Sequence, residues 1–248
     1  MSLPTGSTGT AAREEALSSL RRLRGRAGAR ARTGLLDEAV ATLTDLGFEV
    51  TRWPSPDDLR ARLLEIIPAG ATAAYHRCVL GQAIAIESTL REAGRHLAAL
   101  PAGANASLPA EDWRARLLAA EFGITGANAI IADTGTLVLF EDSGFGRAAS
   151  NIPPVHIALV TADSVVENLL DAAIMARAYA ALHPAEPGPS PPALPRYISL
   201  ISGPSKTADI GHTLVRGMHG PRTVHVLICE QPKAPGADDD ALADWVLA

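Results

Sequence analysis

Cysteine is nearly absent from this chain of 248 residues. Only Cys78 and Cys229 are present, far apart in the sequence. Two thiols cannot build an extracellular disulfide framework. They are also too few for an iron–sulfur cluster, which ordinarily takes four thiolates. Lysine is equally scarce, occurring at Lys206 and Lys233 alone. With a net charge of −5, nothing overall attracts nucleic acid or an acidic membrane. No run of about 20 apolar residues exists to span a bilayer. The start of the chain lacks a signal peptide's apolar run, and Glu14 and Glu15 argue against a transit peptide. The expectation is a soluble, cytoplasmic, reduced protein. No Cys-x-x-Cys or His-x-x-x-His pair occurs, and no Gly-x-Gly-x-x-Gly fingerprint follows a strand. No metal and no cofactor are therefore expected in this chain.

Apolar residues make up 47% of the chain, enough for a real core. Residues 1–9 are rich in Ser, Thr and Gly and read as a disordered start. Residues 10–230 read as a single domain, and 231–248 as an acidic tail containing Asp238–Asp240. Leu17, Leu20 and Leu23 form one stripe of a helix over 11–24. The seven arginines between Arg13 and Arg32 read as a solvated helix face, because no aromatic is interleaved for base stacking.

The pattern then alternates. Helices are predicted over 35–46, 56–67, 82–92, 111–121 and 164–182, with strands over 48–53, 73–80, 155–161, 197–202 and 223–229. Gly47 reads as a helix C-cap, and Ser55-Pro56 as a helix start. Two short β-prone runs, 129–132 and 136–140, flank Asp133-Thr-Gly135. The proline-rich segment 184–195 reads as an exposed loop. Such alternation predicts an α/β fold, a three-layer and largely parallel sheet with flanking helices.

Two motifs carry candidate chemistry. Ser202-Gly-Pro-Ser-Lys-Thr-Ala-Asp209 follows a predicted strand and opens a predicted helix over 207–216. A helix N-terminus beyond a strand's carboxyl end suits a phosphate or carboxylate. Ser202, Gly203, Ser205, Lys206, Thr207 and Asp209 are the candidates; plain helix capping is the competing role. The missing second glycine excludes a P-loop.

In the other motif, Asp133, Thr134, Gly135 and Thr136 form either a hairpin turn or a ligand wall of hydroxyl and N–H groups. The absence of a second Asp-Thr/Ser-Gly argues against an aspartic protease, which needs two facing carboxylates. Arg147, in a loop bearing Gly144 and Gly146, is a candidate carboxylate clamp. Asp133 and His219 are the candidate proton carriers.

The order of Gly123-Ile-Thr-Gly126, Ala132-Asp-Thr-Gly-Thr-Leu-Val138, Pro153–His156, Gly203-Pro-Ser-Lys-Thr-Ala-Asp-Ile210 and His219-Gly-Pro221 resembles LutC-type proteins of the LUD domain family. The resemblance covers residues 10–230 and is densest over 121–229. It implies a fold similar to that of sugar-phosphate isomerases and CoA transferases. It also implies a bacterial system oxidising L-lactate to pyruvate, with iron–sulfur clusters in partner proteins rather than in this chain. The implied role is an accessory component with an anion-binding pocket. The alternatives are a stand-alone sugar-phosphate isomerase or acyl-CoA transferase-like enzyme, and a metabolite-sensing assembly subunit. An acidic residue commonly follows Asp-Ile in the family motif; Gly211 stands there in this chain.

Overall fold

A computed structural model describes residues 7–29, 32–100, 110–183, 194–210 and 213–230. The expected tail over 231–248, most of the proline-rich loop and residues 1–6 of the expected disordered start lie outside the described residues. Residues 7–9 belong to the first helix.

That helix, α1 (Ser7–Ala29), is followed by α2 (Arg32–Leu46), β1 (Glu49–Trp53), α3 (Pro56–Ile66) and β2 (Thr72–His76). Next come α4 (Val79–Ala83), α5 (Ile86–Glu92), β3 (His96–Leu100), α6 (Ala110–Ala119) and β4 (Phe122–Gly126). The chain then forms β5 (Ala129–Ile131), β6 (Thr136–Glu141), α7 (Phe145–Asn151), β7 (Val155–Thr161), β8 (Val165–Val166) and α8 (Leu169–Leu182). The last elements are β9 (Tyr197–Ile201), β10 (Lys206–Ile210), β11 (Thr213–Arg216) and β12 (Thr223–Cys229).

Six strands form a parallel sheet in the order β1-β12-β7-β4-β2-β3. Its central strands are buried on both faces, so they read as continuous apolar runs such as Val155–Thr161. One face packs Ala73, Tyr75, Ile157, Leu159 and Leu227 against α3, α4 and α5. Over β2 and β3, Ala74 and Leu100 on the other face meet Leu117 of α6, beside Phe145 and Ala149 of α7. This half is a three-layer α/β/α arrangement, as the alternating sequence implies.

The other half holds a second sheet. Four strands in the order β8-β5-β6-β9 lie over β7 and β12. Ile130, Leu137 and Leu139 face Ala158, Val160, Val224 and Val226, with Leu36, Ala39 and Leu43 of α2 completing the cluster. The reverse face, Ala129, Ile131, Val138 and Phe140, is covered by α1 and α8. Leu17, Leu20 and Leu23 supply α1's buried stripe. Each such leucine contributes roughly 1.5–3 kcal/mol of transfer free energy.

Several boundaries differ from the sequence reading. The predicted helix over 207–216 is an antiparallel hairpin, β10–β11. Thr207, Ile210, Thr213 and Val215 are β-branched and favour strands, and Gly211 would cost a helix about 1 kcal/mol relative to alanine. The long helix begins only at Leu169, where Asn168 accepts from the Asp171 N–H at 3.1 Å. Residues 82–92 split into two helices at Ala85, whose φ is 50°. The strand expected over 73–80 ends at His76. Strands β3 and β4 stand where the sequence predicts no element, and the glycine-bearing loop around Arg147 is helix α7.

Candidate functional site

In the parallel sheet the chain winds outward from β2 to β3, then returns to β4 and proceeds through β7 to β12. The winding therefore reverses between β2 and β4. Open α/β sheets place ligands beyond the carboxyl ends of strands at such a reversal. His76 ends β2 at that position.

Glu141 ends β6 and brings its carboxylate to His76, with Oε2 3.8 Å from Nε2. It also caps α7: Oε2 accepts from Gly146 N at 2.8 Å and from the Ser143 hydroxyl at 3.1 Å, while Oε1 accepts from Arg147 N. A carboxylate at a helix N-terminus is stabilised by the free N–H groups and the helix dipole. His76 Nε2 is buried with no hydrogen-bond partner among the described residues. Burial holds the imidazole below its ordinary pKa, against the opposing pull of Glu141. A neutral imidazole beside a fixed carboxylate is a candidate proton acceptor, although at 3.8 Å no hydrogen bond to Glu141 orients the ring.

Local sequence explains this geometry. Gly146 carries no side chain because a Cβ there would lie 3.0 Å from His76 Nδ1 and 3.1 Å from Glu141 Oε2. Trp113 of α6 holds the helix start by an edge-on contact with Phe145, centroids 5.7 Å apart. Arg147 is exposed one position further along α7. Cys78 lies two residues after His76, but burial raises its thiol to about 11. It is therefore a packing residue and not a nucleophile. Among the described residues, no group of three His, Cys, Asp or Glu side chains is placed to hold a metal.

The two sequence motifs lie elsewhere. Both pack on the end of α2, which leads into the amino end of β1. A Cβ on Gly135 (φ +59°) would come within 2.8 Å of the Thr42 carbonyl, and one on Gly203 within 3.1 Å of the Leu46 oxygen. The Thr42 hydroxyl donates to the Ala132 oxygen at 2.8 Å. The motifs meet where Thr136 Oγ1 lies 2.9 Å from Ser202 Oγ. Thr136 is buried, whereas Asp133 and Thr134 are exposed at the β5–β6 turn. Lys206 Nζ donates to the Leu46 oxygen at 2.7 Å, closing the carboxyl end of α2.

The loop before β12 folds back onto this group. His219 N donates to Ser205 Oγ at 3.1 Å, and Ser205 N donates to the Pro221 oxygen at 2.8 Å. The His219 side chain is exposed. Thr207 lies in β10, half-buried; Asp209 is also in β10, but its side chain falls outside the described residues.

The expected helix N-terminus at Ser205–Thr207 is thus absent. The motif follows β9, an edge strand of the second sheet, and sits at the amino edge of the parallel sheet. Among the described residues Arg147 makes no hydrogen bond to this group, although Asn151, one turn further along α7, lies against Gly220 of the His219 loop. Glu141, which receives the Arg147 N–H, is five residues along β6 from Thr136, ~17 Å at strand rise. Sequence reasoning missed His76 and Glu141. The available signal was an isolated His at the end of the Ala-Ala-Tyr-His strand, but neither residue stands in a motif.

The LUD domain family model matches residues 36–229. The chain belongs to the LUD domain family. It is 36% identical over 114 residues to Lactate utilization protein C 1 of Bacillus mycoides, a match covering 46% of this chain and 45% of that protein. It is 34% identical over 113 residues to Lactate utilization protein C of Bacillus subtilis, covering 45% and 44%. The match thus spans less than half the length of these curated relatives. A DUF162 family protein from Deinococcus radiodurans shares the fold: TM-score 0.51, 20% identity, 80% of this chain and 98% of that one. The LUD domain accounts for the α/β architecture with its parallel sheet. No described helix of this LUD protein is long and apolar enough to cross a membrane.

Proposed function

We propose that this LUD protein is a LutC-type component of L-lactate utilisation, working with iron–sulfur partner proteins that carry the electrons. The observation that carries this reading is the 34–36% identity to proteins named Lactate utilization protein C. Two cysteines leave the chain without the thiolates for a cluster of its own, which supports a division of labour.

Within that role, the His76–Glu141 pair at the sheet's switch point is the favoured proton-handling group. A 2-hydroxy acid offers a hydroxyl proton to a neutral imidazole and a carboxylate to a cation, and Arg147 stands on the helix that Glu141 caps. Lys206, expected to hold the anion, donates to the Leu46 oxygen at the end of α2.

The test is growth of a deletion strain on L-lactate. Growth should fail on lactate, persist on glucose, and return with the intact gene. His76→Gln should not restore it, although the protein accumulates normally. Unimpaired growth of the deletion strain on lactate overturns the lactate role. Full rescue by His76→Gln removes the histidine from it.

A further inference from the structure

The strongest unassigned feature lies on the outer edge of β3, the strand next to β2, toward its amino end; His76 stands at the carboxyl end of β2, opposite Leu100. Among the described residues β3 pairs with β2 alone, and none of them pairs with the backbone groups of its outer side. Leu90 of α5 packs on one face of the sheet with Ala73 and Tyr75, and Leu117 of α6 on the other with Ala74 and Leu100. The strand edge therefore opens between two helices. A groove of about 450 Å³ runs there, lined by Arg91, Arg95, His96, Leu97, Ala98 and Arg116.

The charged side chains that line it are arginines; the Glu121 carboxylate beside it accepts from the N–H of Thr72, which also lines the groove, at 3.1 Å. Arg95 is fixed by donating to the Ile67 oxygen at 2.9 Å and the Leu64 oxygen at 2.7 Å. Arg91 lies 3.4 Å from Glu87, and its side chain is still 54% exposed. Glu87 is shared with Arg77. Arg116 is exposed in the last turn of α6. Arg95 also donates to the Ala93 oxygen, so its guanidinium is taken up by backbone carbonyls, and Arg91 and Arg116 are the exposed cations at this edge of a chain whose net charge is −5. Strands guarded against unwanted pairing usually carry the charge, proline or bulge themselves. β3 reads His-Leu-Ala-Ala-Leu, with no Lys, Arg, Asp, Glu or Pro. The charges stand on the flanking elements, and among the described residues no strand covers the edge.

We propose that the β3 edge receives an extended acidic segment of a partner protein, which adds as a seventh strand with its carboxylates against Arg91 and Arg116. Main-chain hydrogen bonds to β3 hold the segment, and the arginines choose it by charge. Five residues of β3 accommodate a segment of similar length, ~17 Å. This surface is separate from the His76 site and does not depend on the lactate reading.

The experiment is fluorescence anisotropy with the full chain and a labelled peptide of about ten residues alternating Glu and Val, long enough to span β3. A Lys–Val peptide and a Glu–Val peptide N-methylated at alternate backbone nitrogens serve as controls. The Glu–Val peptide should bind, and more weakly as salt rises. The Lys–Val peptide should not bind. N-methylation on one of its two registers should weaken binding about tenfold or more, because one hydrogen-bonding edge is blocked. Arg91→Glu with Arg116→Glu should abolish binding while the melting curve stays near that of the parent. Absence of binding overturns the proposal. So does equal binding of both N-methylated registers, which would mean charge attraction without strand addition. Competition by millimolar phosphate alone would reassign the groove to small anions. A concentration-dependent dimer lost in the double variant would assign the edge to a second copy of this chain.

Discussion

Burial sets the protonation state of His156, which is fully buried with Nε2 2.9 Å from Thr125 Oγ1 and Nδ1 without a partner among the described residues. Burial, aided by the charge of His225, pushes its pKa down to about 3. The unfolded chain takes up a proton near pH 6.5, which the folded His156 refuses until about pH 3. In that window the unfolded state binds more protons, so stability is full above pH 6.5 and falls as the pH drops toward 3. One such group contributes a slope approaching 1.4 kcal/mol per pH unit. Burial moves His76 and His225 the same way. Urea midpoints measured from pH 7.5 to 4.5 should decline, and His156→Gln should flatten part of that decline. An unchanged slope in the variant would assign it to other groups. Lys206 is a second residue-scale case. Its hydrogen bond to the Leu46 oxygen closes a helix whose dipole is negative there, so Lys206→Ala should cost ~1 kcal/mol, about 3 °C in Tm. Growth on lactate should be unaffected. Lost growth at an unchanged Tm would restore the anion-binding role.

At the scale of elements, α7 is the piece on which the site depends, and glycine makes its position possible. A Cβ on Gly123 of β4 would lie 1.9 Å from the Ala149 oxygen. That neighbour is backbone, and no side-chain rotation relieves it. Gly123→Ala must lift α7 from the sheet and disturb Glu141 and His76 with it, at a cost of ~3 kcal/mol or more. The expected result is a Tm lowered by several degrees or loss of folded protein. Gly25→Ala is the contrast: it lies inside α1, and nothing is within 4 Å of its Cβ position. It should stabilise by ~0.5–1 kcal/mol. Thermal melts of the two variants moving in the same direction would contradict this account. Elements with a clear period were legible in sequence: the Leu17, Leu20, Leu23 stripe of α1, the Ser55-Pro56 start of α3, and the apolar strands β7 and β12. The hairpin β10–β11 was not. Its threonines suit a helix cap as well as a strand, and the pairing of Lys206 with Arg216 decides between them.

For the whole molecule, the second sheet determines which motifs are near each other. Antiparallel pairing of β6 with β9 sets Leu137 opposite Ile201 and thereby Thr136 beside Ser202. The same strands carry Glu141 and Tyr197 to the other end, where Glu141 meets His76 from the parallel sheet. One strand thus divides residues that the sequence groups together and joins residues it keeps far apart. Chain-wide stability rests on apolar clusters on both faces of both sheets, so charge variants at the β3 edge should leave the melting curve nearly intact.

The amino-acid sequence by itself determined the α/β class, the family and the helices and strands with a strong apolar period, because burial pattern and local propensity are written residue by residue. It also shows that the chain holds two cysteines. Only the tertiary structure decided which distant side chains meet. The position of a strand in a sheet depends on pairing between distant segments, and neither β6 nor β9 carries a local mark of its partner. His76 and Glu141 become a pair because β2 ends at the reversal of the parallel sheet and β6 ends above it. The Lys206 turn becomes a helix closure because β9 leads to the amino edge of that sheet, beside the end of α2.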